Sequence, residues 1–230
     1  MLNLRLPITF QLAKRVFVSL IAIEIVFAAI FAGDYFLGSP SWRIHEYFNL
    51  DLEANIPAWF SSLQLFMIGF IALLTAWNQN CTTPPSRRGL TIFGLGFVFL
   101  SADEAALIHE KLTYEFHNNP LVPYFDGVYG VWIVVYGFIG LIALAMLARD
   151  IIALFKSYPK ECFIFVLGMI IFLAGAAGGE TITFFHLDMS DPLVHMIEVM
   201  VEEFLEMSGA STLLYSVLRL AIIKNQSPST

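Results

Sequence analysis

Charged side chains are few in this chain, and basic ones are fewer than acidic ones. Charged residues make up 13% of the 230 positions, with 12 Lys and Arg against 19 Asp and Glu and a net charge of −7. Nucleic acid is excluded as a partner, because its phosphates require a basic surface. Cysteine is also rare. The only two, Cys81 and Cys162, fall at predicted cytoplasmic helix ends, where a structural disulfide is not expected.

Apolar residues take the place of the missing charges. They make up 58% of the chain, the mean hydropathy is +0.74, and they form runs of about 20 residues, the length that spans a bilayer. We predict an all-α, polytopic membrane protein in which residues 1–224 form a single domain of six transmembrane helices. The predicted spans are 14–37, 57–77, 89–112, 127–148, 161–184 and 193–222. Residues 39–56 are predicted to form an outer interfacial loop, and residues 225–230 a disordered tail.

Basic residues predict the orientation, because Lys and Arg favour the cytoplasmic side of a membrane. With a cytoplasmic N-terminus, all of the 12 Lys and Arg except Arg43 and Lys111 fall on that side. All of the 19 acids except Asp150 and Glu161 then lie outside or within the spans. Both termini are therefore predicted to be cytoplasmic, with the negative charge on the outer side.

The last predicted span carries a stripe of ionisable residues. They are His195, Glu198, Glu202 and Glu206. At 100° per residue these side chains share a stripe about 80° wide, and Glu203 lies outside it. Asp191 and Pro192 are typical of the start of this helix. A charge at the middle of a bilayer costs about 2.5–3.5 kcal/mol, so the stripe must face protein, metal, protons or water.

Two other spans bring acids and histidines to the same outer level. Asp103 and Glu110 lie seven residues apart in span three and are predicted to share one face of its helix. Glu104 and His109 lie about 100° round from them. Glu180 stands at the outer end of span five. Three spans are therefore predicted to contribute to one site in the outer third of the bilayer.

This donor set predicts a divalent metal, either iron, zinc or manganese, because carboxylates and imidazoles are its usual ligands. A di-metal site within a helical bundle is one interpretation. A single zinc held by His109, His186 and His195 is the other. The predicted ligands are Asp103, His109, Glu110, Glu180, His195, Glu198, Glu202 and Glu206. The predicted catalytic acid–base groups among them are Glu202, Glu206 and Asp103.

Small residues fill the outer end of span five at 175–179. Such a run lets two helix backbones approach closely, and we predict that role for it. A phosphate-binding loop is excluded, because the strand and the Lys-Ser/Thr that such a loop needs are missing here.

Three stretches of the chain carry a family resemblance. They are NLDLEANIPAWFSS at 49–62, LSADEAALIHE at 100–110 and EEFLEMSG at 202–209. On these stretches the chain resembles a group of uncharacterised bacterial multi-span integral membrane proteins, from span two to span six. The resemblance implies a multi-pass protein of the bacterial inner (plasma) membrane and draws Asp51 and Glu53 towards the site. It implies no reaction.

Three functions are compatible with these features. The first is a metal-dependent membrane enzyme, a hydrolase or oxidoreductase, whose site faces the periplasm and acts on an apolar or lipid-like substrate. The second is a non-catalytic subunit of a larger membrane complex. The third is a proton- or cation-coupled transporter or channel, which Glu24 in the middle of span one favours. The expected partners are the lipid bilayer and either further copies of the chain or a larger membrane complex.

Overall fold

The computed structural model describes residues 8–78, 83–116, 131–179 and 191–226. These residues are mainly helical, and no strand occurs among them. In chain order the helices are α1 (Phe10–Phe36), α2 (Trp42–Phe48), α3 (Ile56–Trp77), α4 (Arg87–Ala106), α5 (Ile108–Phe116), α6 (Val131–Ser157), α7 (Pro159–Leu173) and α8 (Pro192–Gln226). A π-helical segment, Ala174–Gly179, continues α7. The predicted all-α class is confirmed for the described residues.

Five helices are long and apolar enough to cross a membrane. They are Phe10–Phe36, Ile56–Trp77, Arg87–Ala106, Trp132–Ser157 and Pro159–Gly178. These overlap the first five predicted spans. The sixth predicted span lies in α8, a continuous helix of 35 residues. This helix is not among the five apolar ones, although its length of about 52 Å exceeds the thickness of a bilayer core.

The third predicted span, 89–112, is broken by a turn. Helix α4 ends at Ala106, and Leu107 adopts the left-handed conformation with φ 54° and ψ 45°. Few residues other than glycine adopt this conformation. The apolar pattern of the sequence therefore gives no sign at Leu107 that the helix ends there. The helical phase that predicted Asp103 and Glu110 on one face therefore does not extend across the turn.

The predicted loop and tail also contain helix. Helix α2 lies within the predicted outer loop, 39–56. Helix α8 continues through Asn225, which accepts a hydrogen bond from Asn78 at 2.6 Å, and ends at Gln226. Residues 227–230 of the predicted tail lie outside the described residues.

Helix α8 is the central packing element. It contacts α1, α3, α7 and the π-helical segment, and most of its second half is buried. A Cβ on Gly209 would lie 2.5 Å from the Cα of Phe172, and a Cβ on Gly175 would lie 2.8 Å from the backbone nitrogen of Glu206. The close backbone approach predicted for residues 175–179 is confirmed at Gly175.

An ion pair joins α7 to α8. Arg219 Nη2 lies 2.7 Å from Glu161 Oε1, and Arg219 Nε donates to the same oxygen at 3.2 Å. Glu161 is buried, so its carboxylate depends on this partner. We expect Glu161→Gln to lower the free energy of unfolding by about 2 kcal/mol. This is less than the loss for a wholly buried pair, because Arg219 is only partly buried.

Thermal unfolding of the purified protein in detergent measures this effect. Lys160→Gln is the matched control, because it removes an exposed charge one residue from Glu161. Its effect is expected to stay within about 0.5 kcal/mol. Equal losses from the two variants would show that the ion pair does not stabilise the bundle.

Candidate functional site

The turn at the end of α4 brings His109 back onto Asp103. The backbone N–H of His109 donates to Asp103 Oδ1 at 2.7 Å, and His109 Nδ1 lies 3.2 Å from Asp103 Oδ2. The hydroxyl of Tyr136 donates to Asp103 Oδ1 at 3.1 Å. Asp103 is buried. Through these contacts with His109 and Tyr136, its carboxylate links α5 and α6 to the end of α4.

Two asparagines fold the segment between α2 and α3. Asn55 Nδ2 donates to two backbone carbonyls within the segment, at 2.5 and 2.7 Å, and its Oδ1 caps α3. Asn49 Oδ1 accepts from the backbone N–H of Asp51 at 3.0 Å. The loop brings Asp51 to the first turn of α8, where its Oδ2 lies 3.3 Å from His195 Nε2.

Four glutamates from three parts of the chain come together beside this loop. They are Glu53, Glu104, Glu203 and Glu206, and we name them the carboxylate cluster. The charge of Glu203 is repelled by four neighbouring acids, Glu104, Glu53, Asp51 and Glu198. The charge of Glu206 is repelled by Glu203, Glu104, Glu202 and Glu53. Ser61 donates a hydrogen bond to Glu104, and His109 is a cation-forming side chain that acts on Glu53 and Glu104.

Among the described residues outside the spans, Glu53 and His109 have shifted pKa values. Glu53 is exposed overall, but the protein around its carboxyl partly desolvates it and raises its pKa above the ordinary value. The charge of Glu110 raises the pKa further, and His109 partly offsets both effects. Burial lowers the pKa of His109 in α5. The hydrogen bond and charge of Asp103, with the charges of Glu104 and Glu110, outweigh burial and leave the pKa of His109 raised.

The stability of the fold is therefore expected to fall as the pH rises. A folded-state pKa above the unfolded value means that protonation favours the folded state. The contribution is fully present below the unfolded-state pKa, about 4.3 for Glu and about 6.5 for His. It is lost as the pH rises through the raised value.

Thermal unfolding of the purified protein across mildly acid to alkaline pH measures this slope. Glu53→Gln is expected to remove the part of the slope that lies just above the ordinary pKa of a carboxyl. Glu46→Gln, which removes an exposed glutamate of α2, is the control and is expected to leave the slope unchanged. A wild-type protein that grows more stable with rising pH would contradict the prediction.

Most of the sequence-predicted ligands surround the carboxylate cluster or belong to it. They are Asp103, His109, His195, Glu198, Glu202 and Glu206. Glu110 is exposed and acts on Glu53 through its charge. Glu180 lies outside the described residues, as does His186.

The sequence pattern leaves Glu104 and Glu203 outside the predicted site, and the structure places both in the cluster. The reason is that α8 meets two surfaces at this level. Glu203 is close to Glu104 and Glu53, whereas Glu206 lies against Gly175 of the π-helical segment. A helix that packs against two neighbours presents a wider part of its surface to the protein than a stripe of 80°. The adjacent pair Glu202-Glu203 in a largely apolar helix is the signal that points to such a surface.

One family model covers most of the chain. The model of a domain of unknown function, DUF8692, matches residues 19–220. The chain belongs to the DUF8692 family. The matched DUF8692 region includes all four members of the carboxylate cluster. No curated protein and no solved structure matches the chain.

The predicted metal site includes Glu180, which lies outside the part of this DUF8692 protein that the structure describes. In that part, no three His, Cys, Asp or Glu side chains are grouped so that they could hold a metal ion. His109 and His195 face different aspartates, Asp103 and Asp51.

Proposed function

We propose that this DUF8692 protein binds protons at the carboxylate cluster and passes them into the membrane, as a channel or a proton-coupled transporter. The observation that supports the proposal is the mutual repulsion of Glu53, Glu104, Glu203 and Glu206. Glu104, Glu203 and Glu206 are half-buried and Glu53 is exposed. Carboxylates crowded together with limited access to water do not all ionise unless cations neutralise them. Protons suit the cluster, because proton binding needs no fixed set of ligands around the ion.

The proposal includes six spans, with α8 as the sixth. The length of α8 supports a membrane crossing, and its acids are oriented towards other parts of the protein, as an ionisable span requires. The distribution of Lys and Arg supports cytoplasmic termini. In a bacterial plasma membrane the carboxylate cluster would then face the periplasm.

One buried hydroxyl in the second half of α8 supports a route for protons beyond the cluster. Ser208, Ser211, Thr212 and Ser216 are all buried. Ser208, Thr212 and Ser216 donate to backbone carbonyls, as hydroxyls in apolar helices commonly do. Ser211 instead donates to the carboxyl of Glu24, a group that can carry a proton.

Proton flux into proteoliposomes tests the proposed function. The protein is reconstituted with a pH-sensitive dye inside the vesicles, and a pH gradient is applied. Wild type is expected to carry protons faster than empty vesicles do. Glu206→Gln is expected to reduce the flux to the level of empty vesicles, because it removes an exchangeable proton at the inner side of the cluster.

Glu46→Gln is the matched control for this measurement. It makes the same chemical change at an exposed position of α2 that is not part of the cluster. The flux of this variant is expected to equal that of wild type. The proposal fails if wild type carries no more protons than empty vesicles, or if Glu206→Gln carries as many as wild type.

A metal-dependent membrane enzyme acting on an apolar or lipid-like substrate is the second candidate function. The observation that favours it is the pairing of His109 and His195 with aspartates, because carboxylate partners of this kind orient imidazole ligands in metal sites. Elemental analysis of the purified protein tests it. Stoichiometric iron, zinc or manganese that is lost with His109→Ala would support this candidate, and a metal-free, folded protein would remove it.

A further inference from the structure

A buried polar group joins α1, α3 and α8. Its members are Glu24, Gln64 and Ser211, which are 0%, 2% and 0% exposed. Glu24 Oε1 accepts from Gln64 Nε2 at 2.9 Å and from Ser211 Oγ at 2.6 Å. Gln64 Nε2 also lies 2.7 Å from Ser211 Oγ. One carboxyl oxygen therefore holds three helices together.

Two oxygens of this group lack partners. Glu24 Oε2 and Gln64 Oε1 are buried, and no hydrogen-bond partner for either lies in the described part of the chain. A buried polar atom left without a partner costs about 1–3 kcal/mol. Both oxygens are acceptors when Glu24 is ionised, so neither can satisfy the other.

A proton on Glu24 Oε2 removes this mismatch. The protonated oxygen becomes a donor, and Gln64 Oε1 is an acceptor in the same pair of side chains. A carboxylic acid and a primary amide pair through two parallel hydrogen bonds. One of them, from Gln64 Nε2 to Glu24 Oε1, is already present. The two atoms that lack partners are the two that would form the other.

Along the described helices that contact Glu24, namely α1, α3 and α8, no cation lies close enough to balance a carboxylate. Helix α3 contains no ionisable residue. The nearest ionisable residues of α8 are Glu206 and Tyr215, on either side of Ser211. The nearest of α1 are Arg15 and Asp34, each more than two helical turns from Glu24. A carboxylate buried without a cation is disfavoured relative to its neutral form.

We infer that Glu24, Gln64 and Ser211 form a proton-binding site, in which Glu24 carries the proton and Gln64 Oε1 accepts its hydrogen bond. The inference deepens the proposed function and rests on it for the source of the proton. Ser211 follows Glu206 by five residues of α8, about 7.5 Å along the helix axis and about 140° round it. A proton released by the carboxylate cluster would bond to Oε2 of Glu24, with no change in oxidation state.

Infrared spectroscopy of the full chain in lipid vesicles at neutral pH tests the site. Wild type is expected to show the C=O stretch of a protonated carboxyl in apolar surroundings, and Glu24→Gln is expected to lose that band. Glu161→Gln is the control. Its carboxylate is paired with Arg219, so this variant is expected to lose a carboxylate band instead. A carboxylate band lost with Glu24→Gln would overturn the inference.

A second variant keeps the test decisive if Glu24→Gln does not fold. Ser211→Ala removes one hydrogen bond to Glu24 Oε1 and is expected to move the C=O band to higher frequency. A band that stays in place would assign the proton to another carboxyl. The flux measurement on Glu206→Gln tests the proposed function separately from this inference. If protons pass through the cluster while the infrared spectrum shows Glu24 to be ionised, the site at Glu24 is overturned and the proposed function stands.

Discussion

Replacing Glu203 by glutamine is expected to stabilise the protein at alkaline pH and to abolish its proton flux. Glu203 is repelled by four neighbouring acids, so removing its charge relieves strain that an ionised cluster imposes on α8 and the adjoining loop. We expect a gain of about 1–2 kcal/mol in the free energy of unfolding, as is typical when a strained functional group is removed. Flux is lost because an amide does not release and rebind a proton near neutral pH.

Two measurements on the same variant separate this account from a structural role. Unfolding is followed in detergent at alkaline and at mildly acid pH, and the gain is expected to shrink in acid, where protons already neutralise the cluster. Flux is measured in proteoliposomes. Glu46→Gln is expected to change neither quantity. A Glu203→Gln protein that is less stable at every pH would show that Glu203 serves to hold the fold together.

The packing of α8 against α7 is expected to tolerate no side chain at position 209. A Cβ there would lie 2.5 Å from the Cα of Phe172, and backbone cannot move aside as a flexible side chain does. Overpacking of a core typically costs about 1–3 kcal/mol. We expect Gly209→Ala to reach or exceed the upper end of this range, because the contact is with the main chain of α7.

Gly137 provides the matched control for this substitution. It lies within α6, and a Cβ there would meet nothing within 4 Å. Gly137→Ala is expected to raise stability by about 0.5–1 kcal/mol, the usual gain from replacing a glycine inside a helix. Thermal unfolding of both variants in detergent measures the contrast. A Gly209→Ala protein as stable as Gly137→Ala would contradict the close approach of α7 and α8.

The sequence predicts the helical class and much of the site, because these depend on local pattern. The run of glutamates in α8 has the same spacing whatever packs against it. The small residues at 175–179 predict that two helix backbones approach closely, and Gly175 does lie against the backbone of α8. Five of the six predicted spans likewise coincide with helices that are long and apolar enough to cross a membrane.

The remaining features depend on contacts between distant residues. The left-handed turn at Leu107 is disfavoured for leucine itself and is accompanied by the hydrogen bonds that Asp103 accepts from His109. Sequence shows Glu24 among apolar residues but not that it meets Gln64, 40 positions away, and Ser211, 187 positions away. Glu203 falls outside the predicted stripe because a helical phase does not reveal how many neighbours a helix has.

The central claim is that the carboxylate cluster holds protons, and chemical modification of those carboxyls tests it most directly. An apolar carbodiimide reacts with a protonated carboxyl within the membrane, and mass spectrometry of the digested protein identifies the modified residues. The account predicts modification of Glu203 or Glu206 and none of Glu161, which is paired with Arg219. Modification confined to exposed acids such as Glu46, with Glu203 and Glu206 untouched, would contradict it.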